Sequence, residues 1–114
     1  MEKSYFPILV RFTDTNEYAV VETPEALPDA RGFKVIRTNY WRGSCGGDTQ
    51  AGDRVLYIPH NGRDYDHTYA QKSGLVPLQE YTVETVTVDR WYTELTIIGY
   101  PGNHNSVLFV RLDT

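Results

Sequence analysis

One cysteine, Cys45, sits in the run Gly43-Ser44-Cys45-Gly46-Gly47-Asp48. A cysteine in a glycine loop becomes a nucleophile when a neighbouring histidine lowers its pKa. His60, His67 and His104 are available, and Asp48 or Asn105 would orient one of them. No spacing ties any of the three to Cys45, and a lone cysteine with scattered histidines matches no catalytic signature. The plainer reading is a small residue in a turn. No catalytic residue is assigned, and a Cys-dependent enzyme ranks last among the functions weighed. The same glycines lack the Lys-Ser/Thr ending of a phosphate loop, and no long helix pattern follows them.

His60, Asp64, Asp66 and His67 bring metal-ligand types into one polar segment. The spacing fits no compact zinc or calcium loop: there is no His-x3-His, no cysteine pair and no closing glutamate. A solvated polar segment is the stronger reading, so no metal and no cofactor is expected.

Arg31, Lys34, Arg37 and Arg42 are interleaved with Phe33, Tyr40 and Trp41, and no acidic residue falls between Arg31 and Gly47. Basic and aromatic side chains together on a β surface suit single-stranded nucleic acid, with phosphates neutralised and bases stacked. On a regular strand, Arg31, Phe33, Val35 and Arg37 would share one face, and Lys34, Ile36 and Thr38 the other. Arg31, Lys34, Arg37, Trp41 and Arg42 are the residues this alternative would use. A net charge of −4 favours an ordinary strand with basic outer positions instead.

These residues need elements to hold them, and the pattern along the chain is that of strands. Residues 5–12 (YFPILVRF) and 17–22 (EYAVVE) flank the turn cluster TDTN and read as a hairpin. Residues 23–32 begin like a helix, but Pro28 limits it to one turn. Residues 33–39 read as a third strand and 53–59 as a fourth, separated by the glycine-rich segment 42–53. That segment is the one candidate for an internal boundary. Residues 60–74 show no helical period and read as a long polar loop. Residues 81–88 and 91–98 alternate cleanly around a tight turn at Asp89 and Arg90. Residues 99–105 read as another turn and 106–112 as the last strand.

Composition agrees. The 114 residues are 40% hydrophobic and 23% charged, within the range of one folded domain. Nine of the fifteen aromatic residues are tyrosines, which suit a half-buried pleated surface. One cysteine allows no internal disulfide and points to a reducing compartment, the cytoplasm. No signal peptide or membrane-length apolar run is visible, so no membrane association is expected.

Leu78, Tyr81, Val83, Gly99, Pro101, Gly102, Asn105, Ser106 and Phe109 form a pattern: Leu-x-x-Tyr-x-Val, two strands, Gly-x-Pro-Gly, then Asn-Ser-x-x-Phe. The pattern resembles small SH3-like barrel proteins of bacterial and phage genomes. The resemblance covers residues 53–112, with DRVLYI at 53–58 as first barrel strand and residues 60–77 as the long first loop. It implies an SH3-like barrel over residues 53–112, and residues 1–52 do not fit its pattern. With the strands read over residues 1–42 as an N-terminal β extension, the expectation is an all-β, mainly antiparallel fold in one domain spanning 1–114. Tyr65, Tyr69, Trp91, Tyr92 and Tyr100 then fall in or beside the loops that flank a binding groove, and Asp64 and Asp66 would suit a basic ligand. An aromatic groove of that kind takes proline-rich peptides.

The expectation is a non-enzymatic module that contacts a protein partner through these loops, in a phage- or mobile-element-encoded setting. The apolar N-terminal run is also a strand edge that a second copy would pair with, so a homodimer is considered.

Overall fold

Ile8–Phe12 is a run of strand-forming residues, and it becomes the central strand, β1, of a three-stranded antiparallel sheet. In a computed structural model of the protein, residues 2–38, 45 and 48–112 are described. The chain divides into two units, residues 1–43 and 44–114, and the division falls in the glycine-rich segment. Each unit has its own apolar cluster.

In the first unit β1 pairs with β2 (Tyr18–Val21) and β3 (Phe33–Thr38), in the order β2-β1-β3. The expected hairpin is present. Asn16 closes its turn with a φ of 62°, a left-handed conformation that asparagine tolerates better than most residues. Pro24–Ala26 forms the expected single turn, of 3₁₀ type, and Leu27 leaves it in extended geometry ahead of Pro28. Phe6, Ile8, Val10 and Val21 form the core, with Leu27, Phe33 and Val35 packed against it.

The pairing of β1 with β3 contains a bulge: Val10 faces Val35, but Leu9 faces Arg37. An extra residue in one strand reverses the facing of everything beyond it. The face assignment expected from strict alternation is therefore corrected. Arg37 leaves the side of Phe33 and Val35 and joins Lys34, which faces Arg11.

The second unit is a five-stranded antiparallel sheet. Its strands are β4 (Arg54–Tyr57), β5 (Glu80–Val88), β6 (Thr93–Ile97), β7 (Tyr100–Asn105) and β8 (Phe109–Arg111). Their order is β7-β6-β5-β4-β8, so the last strand returns to pair with the first. Among the described residues neither sheet closes into a barrel. β5 changes partner along its length: Tyr81 and Thr82 pair with β4, and residues from Val83 onward pair with β6. A bulge between Val83 and Thr85 sits at that change. It places Val83 and Val86 on the core side together, where plain alternation would separate them. Tyr57, Val55, Leu95, Ile97, Leu108 and Phe109 fill the core.

Three expectations change here. The long polar segment is not all loop, because Asp64–Lys72 forms an α-helix, α1. Only Ala70 of this helix is buried, so it has no apolar stripe to betray it in the sequence. Its ends hold it instead. The Asp66 carboxylate accepts the Arg63 N–H at 3.1 Å. At the other end Leu75 N–H reaches the Ala70 carbonyl and Gly74 N–H the Gln71 carbonyl, the paired bonds of a Schellman stop. Gly74 takes the φ of +101° that this stop requires.

Residues 99–105, expected as a turn, contain strand β7, and the turn is confined to its start, where Gly99 has a φ of +87°. β7 is an edge strand, the place where a sheet tolerates a residue such as Pro101. The segment 106–112 opens with a 3₁₀ turn, Ser106–Leu108, capped by the Asn105 side chain, before β8 begins.

Candidate functional site

α1 places Tyr65 and Tyr69 four residues apart on one helix face. The Tyr69 ring packs on the buried His104 ring, with centroids 5.4 Å apart. It also lies directly over Gly102: a Cβ there would come within 2.5 Å of the Tyr69 hydroxyl. Gly102 also has a φ of +98°, so both its backbone and its missing side chain let the helix approach β7 this closely.

A second tie runs from the helix to β4. The hydroxyl of the fully buried Tyr57 lies 2.7 Å from Nδ1 of His67, and the rings are stacked. His67 Nε2 contacts the Asn61 carbonyl, which fixes the proton on Nε2 and makes Nδ1 the acceptor. Burial pushes the Tyr57 phenol above its ordinary pKa. Burial likewise holds His104 below the usual histidine value, and its Nε2 donates to the Pro101 carbonyl at 3.1 Å.

Two clefts open beside Tyr65. The larger, of about 680 Å³, lies between α1 and β7 and is lined by Asp64, Tyr65, Thr68, Tyr69, Lys72, Ser73 and Pro101. The smaller, of about 260 Å³, is lined by Tyr65, Asp66, Tyr92, Glu94, Asn103 and Asn105. The Tyr92 phenol is pushed above its ordinary pKa, chiefly by the charge of Glu94 and then that of Asp89.

Of the five aromatic residues expected at a groove, Tyr65, Tyr69 and Tyr92 line these clefts. Trp91 does not begin a strand. It sits in the turn before β6, 85% exposed, and lines neither cleft. Tyr100 packs edge-on against Tyr81, with centroids 5.2 Å apart. Pro101, Glu94 and Asn103 were not legible as site residues, and Asn105 was read only as a residue that would orient a histidine. Pro101 and Gly102 read as turn chemistry, and that reading hid the strand that presents them.

Among the residues of the nucleic-acid alternative, Arg31 precedes β3. It is paired with Asp14 at 2.8 Å, and its guanidinium lies 3.7 Å from the centroid of the Phe12 ring. The Arg31 hydrogen bond lowers the Asp14 pKa. Lys34 and Arg37 lie on β3, beside Arg11, while Trp41 and Arg42 fall outside the described residues.

Cys45 is 4% exposed, belongs to the core of the second unit, and donates its N–H to the Phe109 carbonyl. A thiol at this depth lacks the access that a nucleophile needs. Of the metal-ligand types, Asp64 and Asp66 lie in the first turn of α1, and His67 is held by Tyr57. Among the described residues no group of three or more His, Cys, Asp or Glu side chains is arranged to hold a metal ion. Nor is any helix among them long and apolar enough to cross a membrane.

No protein-family model matches the chain, and no curated protein or solved structure is similar enough to it to count as a match.

Proposed function

We propose that the second unit is an SH3-like binding module, not an enzyme, and that it takes an extended segment of a protein partner into the cleft between α1 and β7. The carrying observation is the cleft itself, a concave site with two tyrosines and a proline exposed in its walls. Tyr69, half-exposed yet packed on His104, loses little entropy on binding and offers a large apolar ring face. The volume of the cleft lies within the range of sites that hold small ligands or peptide side chains.

The SH3-like assignment draws support from the connectivity. The supporting feature is an open meander whose last strand returns to its first, with one strand shared between two pairings, a connectivity that small barrels also use.

Selection of random peptides displayed on phage against the purified protein tests the function. The expected result is enrichment of peptides that lose about tenfold or more in affinity when Tyr65→Ala replaces the wild type. Failure to enrich any sequence, or equal binding by the Tyr65→Ala variant, would overturn it.

A second reading has one observation in its favour. The bulge in β3 gathers Arg11, Lys34 and Arg37 on one side of the first sheet, and the Arg11 guanidinium lies 5.8 Å from the Tyr18 ring centroid. Cations beside an aromatic ring suit single-stranded nucleic acid. Titration of a fluorescent oligothymidylate at low and high salt tests it, and no binding at low salt would remove it.

A further inference from the structure

The smaller cleft has a different chemistry from its neighbour. Pairing of β6 with β7 sets Glu94 opposite Asn105, and the period of the strand puts Asn103 on the same side. Tyr92, two residues before Glu94, enters from the turn that leads into β6. α1 closes the other side with Tyr65 and Asp66. Among the described residues the walls are thus two phenol rings, two carboxylates and two carboxamides, with no basic residue among them.

Part of this polar surface is already engaged. One Asp66 oxygen accepts the Arg63 N–H, and the Asn105 side-chain oxygen accepts the Val107 N–H at 3.2 Å. The Glu94 carboxylate faces the Tyr92 phenol, and the negative charge of Glu94 and then of Asp89 raises the phenol's pKa above its ordinary value. The same charge favours a cation. Aromatic faces add to the attraction, most of all for a planar guanidinium. At about 260 Å³ the cleft has room for one side-chain head group.

We infer that this cleft is a subsite for a single arginine side chain of the partner segment, clamped between Tyr65 and Tyr92 and neutralised by Asp66 and Glu94. The inference rests on the peptide-binding reading above, because Tyr65 is the wall shared with the larger cleft. Charge complementarity selects the occupant: two carboxylates in a lining without a basic side chain exclude an acidic group. An arginine can bond a carboxylate through two parallel N–H groups while its plane stacks on a ring.

The test needs no knowledge of the partner. N-acetyl-arginine amide, N-acetyl-lysine amide and N-acetyl-glutamate amide are titrated into the ¹⁵N-labelled full chain at millimolar concentration. Arginine amide is expected to shift the backbone amides of Tyr92, Glu94, Asn103 and Asn105, lysine amide to shift them less, and glutamate amide not at all. Glu94→Gln is expected to weaken the arginine response by about fivefold or more. Tyr92→Leu, which removes a ring and no charge, is expected to weaken it similarly, and serves should the first variant fold poorly. An equal response to glutamate amide overturns the inference, as does an arginine response unchanged in both variants. Peptide selection that fails while arginine amide still binds would sink the larger-cleft reading and leave the cation subsite standing. Selection that succeeds with no arginine response sinks the subsite alone.

Discussion

The hydroxyl of Tyr57 and Nδ1 of His67 are 2.7 Å apart, and their rings are stacked with centroids 5.6 Å from each other. One residue ends a buried strand and the other lies in the middle turn of α1. The pair secures a helix that buries almost nothing of its own. Tyr57→Phe keeps the stack and removes the hydrogen bond, and is expected to cost about 1–2 kcal/mol. His67→Ala removes both and should cost more. Urea unfolding of the two variants and their double measures the coupling, expected at about 0.5 kcal/mol or above. Simple additivity would show that the helix is held elsewhere.

Gly102 sets how closely α1 approaches β7. Gly102→Ala places a methyl group against the Tyr69 hydroxyl at a backbone φ of +98°. The expected loss is about 1–3 kcal/mol in unfolding free energy. Combining it with Tyr69→Ala should recover the steric part and leave the backbone part. A double variant as unstable as the sum of the singles would contradict this contact.

His104 makes stability depend on pH. It is buried at 2% exposure, and that burial lowers its pKa in the folded state. The unfolded chain therefore binds more protons than the native one between the lowered folded-state value and about pH 6.5, so the stability present above pH 6.5 is lost as pH falls through that window. One such group changes stability by at most about 1.4 kcal/mol per pH unit. Denaturation at pH 5.5 and pH 7.5 is expected to show a smaller difference in His104→Gln than in the wild type. An identical difference would remove His104 as a cause.

Cys45, at 4% exposure, is expected to react slowly with iodoacetamide in the native protein and quickly in urea. Mass spectrometry of timed aliquots checks it. Fast alkylation under native conditions would reopen the nucleophile question.

The strands that alternate, β5 and β6, and the hairpin of β1 and β2 were legible because side-chain period and turn chemistry agree there. The helix was not. Its stability comes from a Schellman stop and from a contact between Tyr57 and His67, and neither leaves a hydrophobic period. β7 was masked by Pro101 and Gly102, which signal turns unless the strand lies at an edge. The bulges in β3 and β5 were invisible for a related reason. A single extra residue preserves composition while exchanging the faces of Arg37 and Val86. Tyr65, Tyr69 and Tyr92, which line the two clefts, entered only through the resemblance to SH3-like loops. Their partners Glu94, Asn103 and Asn105 come from a hairpin whose register decides which side chains meet the helix.

Tyr65 borders both clefts and is 64% exposed. Its ring turns on two side-chain bonds. If the proposed segment fills both clefts, a turn of this ring that suits one occupant would change the wall offered to the other. The two halves of a bound segment would communicate through a single hinged door, and by linkage the effect runs equally in both directions.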